Sequence, residues 1–210
     1  MPEALIWGAS GGIGSALVTL LKARGWRVFA AARNESRIPP EADFTCRFDA
    51  GQPHTVDSVP AMLAGDSDGI DLMVYAAGTT VSAPVEKLTP ADWAQVFDSN
   101  VTGAYLAARA SLPLMKSDGH LVFIGAYVEH LILPRMAAYA AAKAALAPLA
   151  AVLQKENRKL KVTLLRPGPV DTPFWANVPF SLPKDARPPA AIAAAILTRY
   201  ESGESGDLNL

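Results

Sequence analysis

At 210 residues the chain is long enough for one packed domain and short for two full ones. Half of it is hydrophobic, the formal charge is −1, and there is one cysteine, Cys46. This balance leaves no basic field for nucleic acid or anionic lipid and no internal disulfide framework, and a reducing cytoplasm is the expected setting. His54, His120 and His130 show no ligand spacing, so no metal is expected. The first apolar run stops at Gly8, too short for a signal-peptide core. No stretch approaches the roughly 20 apolar residues of a spanning helix, because Tyr139, Lys143 and Pro148 interrupt the alanine-rich segment from Ala137 to Leu153.

Strand-like and helix-like segments alternate. Ala4 to Trp7 reads as a buried strand that runs into glycines. Gly12 to Arg24 places Ile13, Leu17, Leu20 and Leu21 at helical spacing, and Gly25 is a stop signal. Arg27 to Ala31 and Phe44 to Phe48 read as strands two and three, with a modest helix from Val56 to Ala64 between the third and the fourth, Asp71 to Tyr75. Thr89, Pro90 and Asp92 make a capped helix start, and that helix is expected to run towards Leu114. His120 to Ile124 is a fifth strand and Ala137 to about Lys159 a long helix, bent by Pro148. Lys161 to Leu165 is a sixth strand. A last helix runs from Pro188 and Pro189 to Ser202, and Asp207 to Leu210 adds a short final strand. Such alternation implies an α/β fold: one doubly wound parallel sheet of six to seven strands, covered by helices on both faces. Residues 1–210 are expected to form a single dinucleotide-binding domain. The irregular stretch from Pro167 to Pro189 has the length of a binding loop.

Gly8, Ser10, Gly11, Gly12, Ile13 and Gly14 lie between strand one and helix one. Glycines there permit a tight turn and close backbone approach to a pyrophosphate, and the helix N-terminus offers free N–H groups to it. The spacing Gly-x-x-x-Gly-x-Gly resembles the fingerprint of the short-chain dehydrogenase/reductase family. The resemblance continues through Asp49, Ala76-Ala77-Gly78, Asn100, Tyr139-x-x-x-Lys143 and the run Pro167-Gly168-Pro169-Val170-Asp171-Thr172, in the family's order. It implies a nicotinamide cofactor held by these residues, with Thr172 at the carboxamide.

Sites selective for NAD carry an acid at the end of strand two, which here would fall at about Ala32. Its absence, and the guanidinium of Arg33 next to it, point to NADP(H) over NAD(H), with Arg37 a second candidate. Tyr139 and Lys143 lie one helical turn apart on one face, so the lysine charge can stabilise tyrosinate. Tyr139 then acts as the acid/base partner in interconverting a carbonyl and an alcohol. By the resemblance, Lys143 also holds the nicotinamide ribose and Asn100 positions a water linked to Lys143. The family's active-site serine falls at Ala126, which has no hydroxyl to polarise a carbonyl; Tyr127 is the next candidate. Two functions follow. One is an NADP(H)-dependent oxidoreductase; the other is a catalytically impaired NADP(H)-binding or regulatory protein that Ala126 would favour. Phe174 and Trp175, in a loop over residues 173–188, suit a small hydrophobic substrate. The small residues from Ala140 to Ala151, with the helix before them, suit a homodimer, with a tetramer as the alternative.

Overall fold

Burial along β1 (Glu3–Trp7) is complete, the pattern of a strand covered on both faces. Its side chains alternate. Ala4 and Ile6 enter one core layer, while Leu5 and Trp7 enter the other. The computed structural model describes residues 1–63 and 65–210. Around β1 it places β2 (Arg27–Ala32), β3 (Phe44–Arg47), β4 (Ile70–Tyr75), β5 (Met115–Ile124), β6 (Lys161–Arg166) and β7 (Gly206–Asn209) in the order β3-β2-β1-β4-β5-β6-β7. Every pairing is parallel.

The helices divide between the faces as the strand alternation requires. α1 (Gly12–Ala23) and α6 (Pro189–Ser202) cover the layer of Ala4 and Ile6, with Leu17, Leu21, Ile192 and Ile196 buried there. α2 (Pro53–Leu63), α4 (Gly103–Ser111) and α5 (Ala137–Glu156) cover the other. Trp7 anchors α4 to the sheet, donating from Nε1 to Ser111 Oγ at 3.1 Å, and its ring meets Phe48 edge-on at 5.0 Å. The chain winds outward from β1 to β3, then crosses to β4 on the other side. This reversal leaves a crevice past the carboxyl ends of β1 and β4, where sheets of this kind bind ligands.

Four segments differ from the sequence expectation. The helix expected from Val56 starts earlier, at Pro53, and its expected end, Ala64, lies outside the described residues. The helix expected to run straight from Pro90 to Leu114 is instead α3 (Pro90–Phe97), a π-helical turn (Asp98–Thr102), α4 and a 3₁₀ turn (Leu112–Leu114). Two side chains take backbone acceptors at that turn: Asn100 Nδ2 donates to Val96 O at 2.8 Å and the Tyr75 hydroxyl to Ser99 O at 2.7 Å. Competition of this kind widens a helix locally. The capping box at its start, Thr89 with Asp92, is present. β5 begins at Met115 rather than His120, and its polar lead-in is held by the Lys116–Asp71 ion pair at 2.8 Å. Finally, α5 is 20 residues long and apolar enough to cross a membrane by length and composition. Here it covers the sheet, with Leu146, Ala150 and Leu153 in the core and the charged Lys143 buried on the same side.

Candidate active site

The glycine turn is shaped by close contacts. Gly8 has φ +88°, and a β-carbon on it would overlap the Ala77 backbone. Its N–H donates to Ala31 O at 2.8 Å, which ties the turn to β2. A β-carbon on Gly14 would collide with the Gly8 carbonyl, and one on Gly12 would come within 2.5 Å of Thr172 Cγ2. The turn is thus pressed between the ends of β1, β4 and β6. Gly11 is the N-cap of α1 and offers no side-chain cap, so the first helical N–H groups face the crevice unclaimed by side chains.

A cavity of about 480 Å³ opens beside this turn. Its wall takes Gly8, Ser10 and Gly11 from the turn, Ala32 and Arg33 from the end of β2, Asp49 after β3, and Ala76, Ala77 and Gly78 after β4. Gly12, Ile13 and Gly14 belong to the first turn of α1 and do not line the cavity. Ala32 is buried, whereas Arg33 is exposed and forms no ion pair among the described residues. Arg37 is exposed as well but does not line the cavity. The Asp49 carboxylate accepts from Gly51 N at 3.1 Å and Gln52 Nε2 at 3.4 Å, which orders the loop after β3.

A second group lies towards α5. Lys143 is buried and donates from Nζ to Ile124 O at 2.8 Å. Burial holds its ammonium down at about 8. Nζ stands 5.6 Å from the centroid of the Tyr139 ring. Burial pushes the Tyr139 hydroxyl above its usual range. Asn100 is fully buried, its Nδ2 shared between Val96 O and Thr79 O, each at 2.8 Å. Its Oδ1 has no partner among the described residues. A β-carbon at position 78 would sit 2.8 Å from that oxygen and 3.6 Å from Lys143 Nζ, so the two groups converge on Gly78.

Ala126 lies two residues past the end of β5. The neighbouring Tyr127 hydroxyl donates to Leu210 O at 3.1 Å, and its ring lies 5.3 Å from His130. Beyond β6, Pro167 and Val170 are buried while Gly168 and Thr172 are half-buried. The loop that follows is pinched at its base by a bridge between Val170 and Arg187. Within it Phe174 packs on Tyr139 at 5.0 Å between ring centroids. Trp175 turns back instead, donating from Nε1 to Val170 O at 2.8 Å. Sequence reasoning passed over Thr80 and Ser82, whose hydroxyl oxygens are buried without partners. The signal available was a hydroxyl-rich run, Thr79-Thr80-Val81-Ser82, directly after Gly78.

An all-parallel doubly wound sheet with a glycine-lined crevice at its switch point defines a Rossmann-type dinucleotide-binding fold. Residues 2–180 match the family model described as short chain dehydrogenase, and the chain belongs to that family of oxidoreductases. It is 31% identical over 185 residues to an uncharacterized oxidoreductase of Staphylococcus aureus (strain MRSA252), covering 83% of this chain and 80% of that one. An uncharacterized oxidoreductase of Staphylococcus saprophyticus is 26% identical, covering 98% and 92%. Among solved structures, an alcohol dehydrogenase of the archaeon Thermococcus sibiricus complexed with 5-hydroxy-NADP superposes with a TM-score of 0.91 at 25% identity, covering 100% of this chain and 96% of that one. A short-chain dehydrogenase of Streptomyces avermitilis gives 0.87 at 26% identity, covering 100% and 88%. The family works on small molecules with nicotinamide dinucleotides.

Proposed function

We propose that the protein is an NADP(H)-dependent oxidoreductase that interconverts a carbonyl and an alcohol on a small hydrophobic molecule, with Tyr139 as acid/base. The observation that carries this reading is the convergence of Lys143 and Asn100 on Gly78, which lines the cavity, with the Tyr139 ring 5.6 Å from Lys143 Nζ. A dinucleotide fits the chain's own features. The turn leaves no room for a side chain at Gly8 or Gly14, the N-terminus of α1 is open for phosphates, and the buried Asn100 Oδ1 lacks a partner. In this reading Ser10, Gly11, Gly12 and Ile13 hold the pyrophosphate; Asp49, Ala76 and Ala77 flank the adenosine; Pro167, Gly168, Val170 and Thr172 flank the nicotinamide. Arg33 beside the buried Ala32 supports NADP(H), since no carboxylate there repels a 2′-phosphate. The solved neighbour from Thermococcus sibiricus, complexed with 5-hydroxy-NADP, is consistent with this choice.

When bound, the nicotinamide supplies or accepts hydride. Tyr139 donates its hydroxyl proton to the carbonyl oxygen, or takes it back in the reverse direction. Lys143 moderates that hydroxyl: tyrosinate is costly at a buried site, and a protonated lysine beside it offsets the cost. Asn100 Oδ1 holds a water that passes protons to Lys143. Phe174, packed at a tilt against Tyr139, excludes bulk water and contributes an apolar wall, and residues 173–188 serve as the substrate loop. We read Ala126 as standing where the family places its serine.

The outward face of α5 carries Ala141, Ala144, Pro148 and Val152, and Tyr105 on α4 is half exposed. This stripe of small apolar groups suits a two-fold contact and hence a homodimer. The buried Cys46 thiol, pushed up to about 12 by burial, suits a reducing cytoplasm.

The test is NADPH oxidation, followed by nicotinamide absorbance, against ketones, aldehydes and quinones. Turnover that Tyr139→Phe abolishes is expected. Tight NADPH binding without turnover across the panel would instead select the impaired binding protein.

A further inference from the structure

The β4–α3 loop carries a hydroxyl that the reading above does not use. Thr80 is 3% exposed, and its Oγ1 is buried without a hydrogen-bond partner among the described residues. Leaving a buried hydroxyl unpaired is unfavourable, so this group is open to a hydrogen-bond partner that the described residues do not supply. The surrounding contacts locate the segment that carries it. At one end of the segment, position 78 lies beside Lys143 Nζ. At the other, Arg135, two residues before α5, donates to Ser82 O at 3.3 Å. Between these ends Val81 packs in one small cluster with Ala138, Ala142 and Tyr139. Residues 78–82 therefore run alongside the first turns of α5, and Tyr139 sits between the two levels. The segment is pinned, because Thr79 O accepts from Asn100 Nδ2 at 2.8 Å. Ser82 is also unpartnered but lies at the Arg135 end, farther from Lys143.

On the β5 side the hydroxyl proton is already committed. Ala126 has none, and that of Tyr127 is given to Leu210 O. We propose that Thr80 donates to the reacting oxygen the hydroxyl hydrogen bond that Ala126 cannot. The inference rests on the oxidoreductase reading. During reduction the C=O π bond breaks, the carbon gains a C–H bond from nicotinamide hydride, and the oxygen gains its proton from Tyr139. Thr80 keeps its proton throughout; its O–H dipole stabilises the negative charge that develops on the oxygen.

Three variants of the full chain test this: Thr80→Val, Thr80→Ser, and Thr80→Val combined with Ala126→Ser. Each is measured for kcat on the best carbonyl substrate, NADPH Kd and Tm. Thr80→Val is expected to lower kcat about 100-fold, as loss of one such donor does. NADPH Kd should stay within about twofold, because the hydroxyl is assigned to the substrate oxygen and not to the dinucleotide. Tm should hold or rise, since an unsatisfied polar atom is removed. Thr80→Ser should keep kcat within about fivefold, and adding Ala126→Ser to Thr80→Val should regain about tenfold or more. A hydroxyl with a purely structural role predicts the opposite: a lower Tm and no rescue by Ala126→Ser. Either that pattern, or a Thr80→Val kcat within about threefold of wild type, overturns the assignment. A wild-type protein with no turnover at all overturns the oxidoreductase reading and this one together, and is distinguished by the missing wild-type rate.

Discussion

Replacing Arg33 with alanine separates the two nicotinamide dinucleotides. Arg33 is exposed at the end of β2, lines the cavity, and forms no ion pair among the described residues. Its removal breaks no such pair, so Tm should not move. What is lost, on the proposed function, is a guanidinium facing a 2′-phosphate. Two unit charges 4 Å apart are worth about 1 kcal/mol in water and about 4 kcal/mol at an effective dielectric near 20. An exposed arginine belongs in the lower half of that range, about 2 kcal/mol, which corresponds to about 30-fold in Kd. Titration by nicotinamide fluorescence should therefore show NADPH weakened about 30-fold and NADH changed by less than about twofold. The NADPH effect should shrink as salt is raised, because an exposed pair is screened. Equal weakening of NADPH and NADH, or none for NADPH, refutes the reasoning.

Three further outcomes follow from the packing and the buried charges. Gly14→Ala forces a β-carbon into the Gly8 carbonyl, and should lower stability by about 1–3 kcal/mol while abolishing dinucleotide binding; an unchanged Tm and NADPH Kd would contradict it. Lys143 is held at about 8 in the folded chain against 10.5 unfolded, so the native state bears the cost of a buried cation below pH 8. That cost, about 3 kcal/mol at most and offset by about 1 kcal/mol for the bond to Ile124 O, should make Lys143→Met more stable than wild type at neutral pH. The gap should close as pH rises from 8 to 10.5, read by denaturant melts; a gap that widens there is the wrong sign. His120 is buried, and burial, then Lys161 and Arg199, lower it to about 4 from 6.5. The unfolded chain takes up that proton first, so wild type should lose up to about 3 kcal/mol relative to His120→Gln as pH falls from 6.5 to 4. Parallel pH profiles for the two proteins would show that His120 does not contribute.

Most of the strands and helices were legible because their signals are local. Continuous apolar runs ending in glycine, a capping box at Thr89 and a proline pair at the start of α6 each declare themselves within a few residues. The parallel pairing follows from strand–helix alternation, whereas the strand order is seen only in the fold. What could not be read is where side chains intervene in the backbone. Nothing local in the sequence says that Asn100 and Tyr75 would widen the α3–α4 path into a π-helical turn. Nor does it say that Trp175 turns away to cap Val170 while Phe174 covers Tyr139.

By itself the sequence determined the doubly wound architecture and the glycine-lined turn at its switch point. Both depend on periodicity and on residues too small to block a backbone. It also brought Tyr139 and Lys143 together, since one helical turn places them on one face. Only the tertiary structure decided what surrounds that pair. Burial raises Tyr139 and lowers Lys143, Asn100 Oδ1 converges with Lys143 on Gly78, and Thr80 is left with an unused hydroxyl beside α5. These properties depend on distances between segments remote in the chain, and desolvation is set by everything packed around a group rather than by its neighbours in sequence.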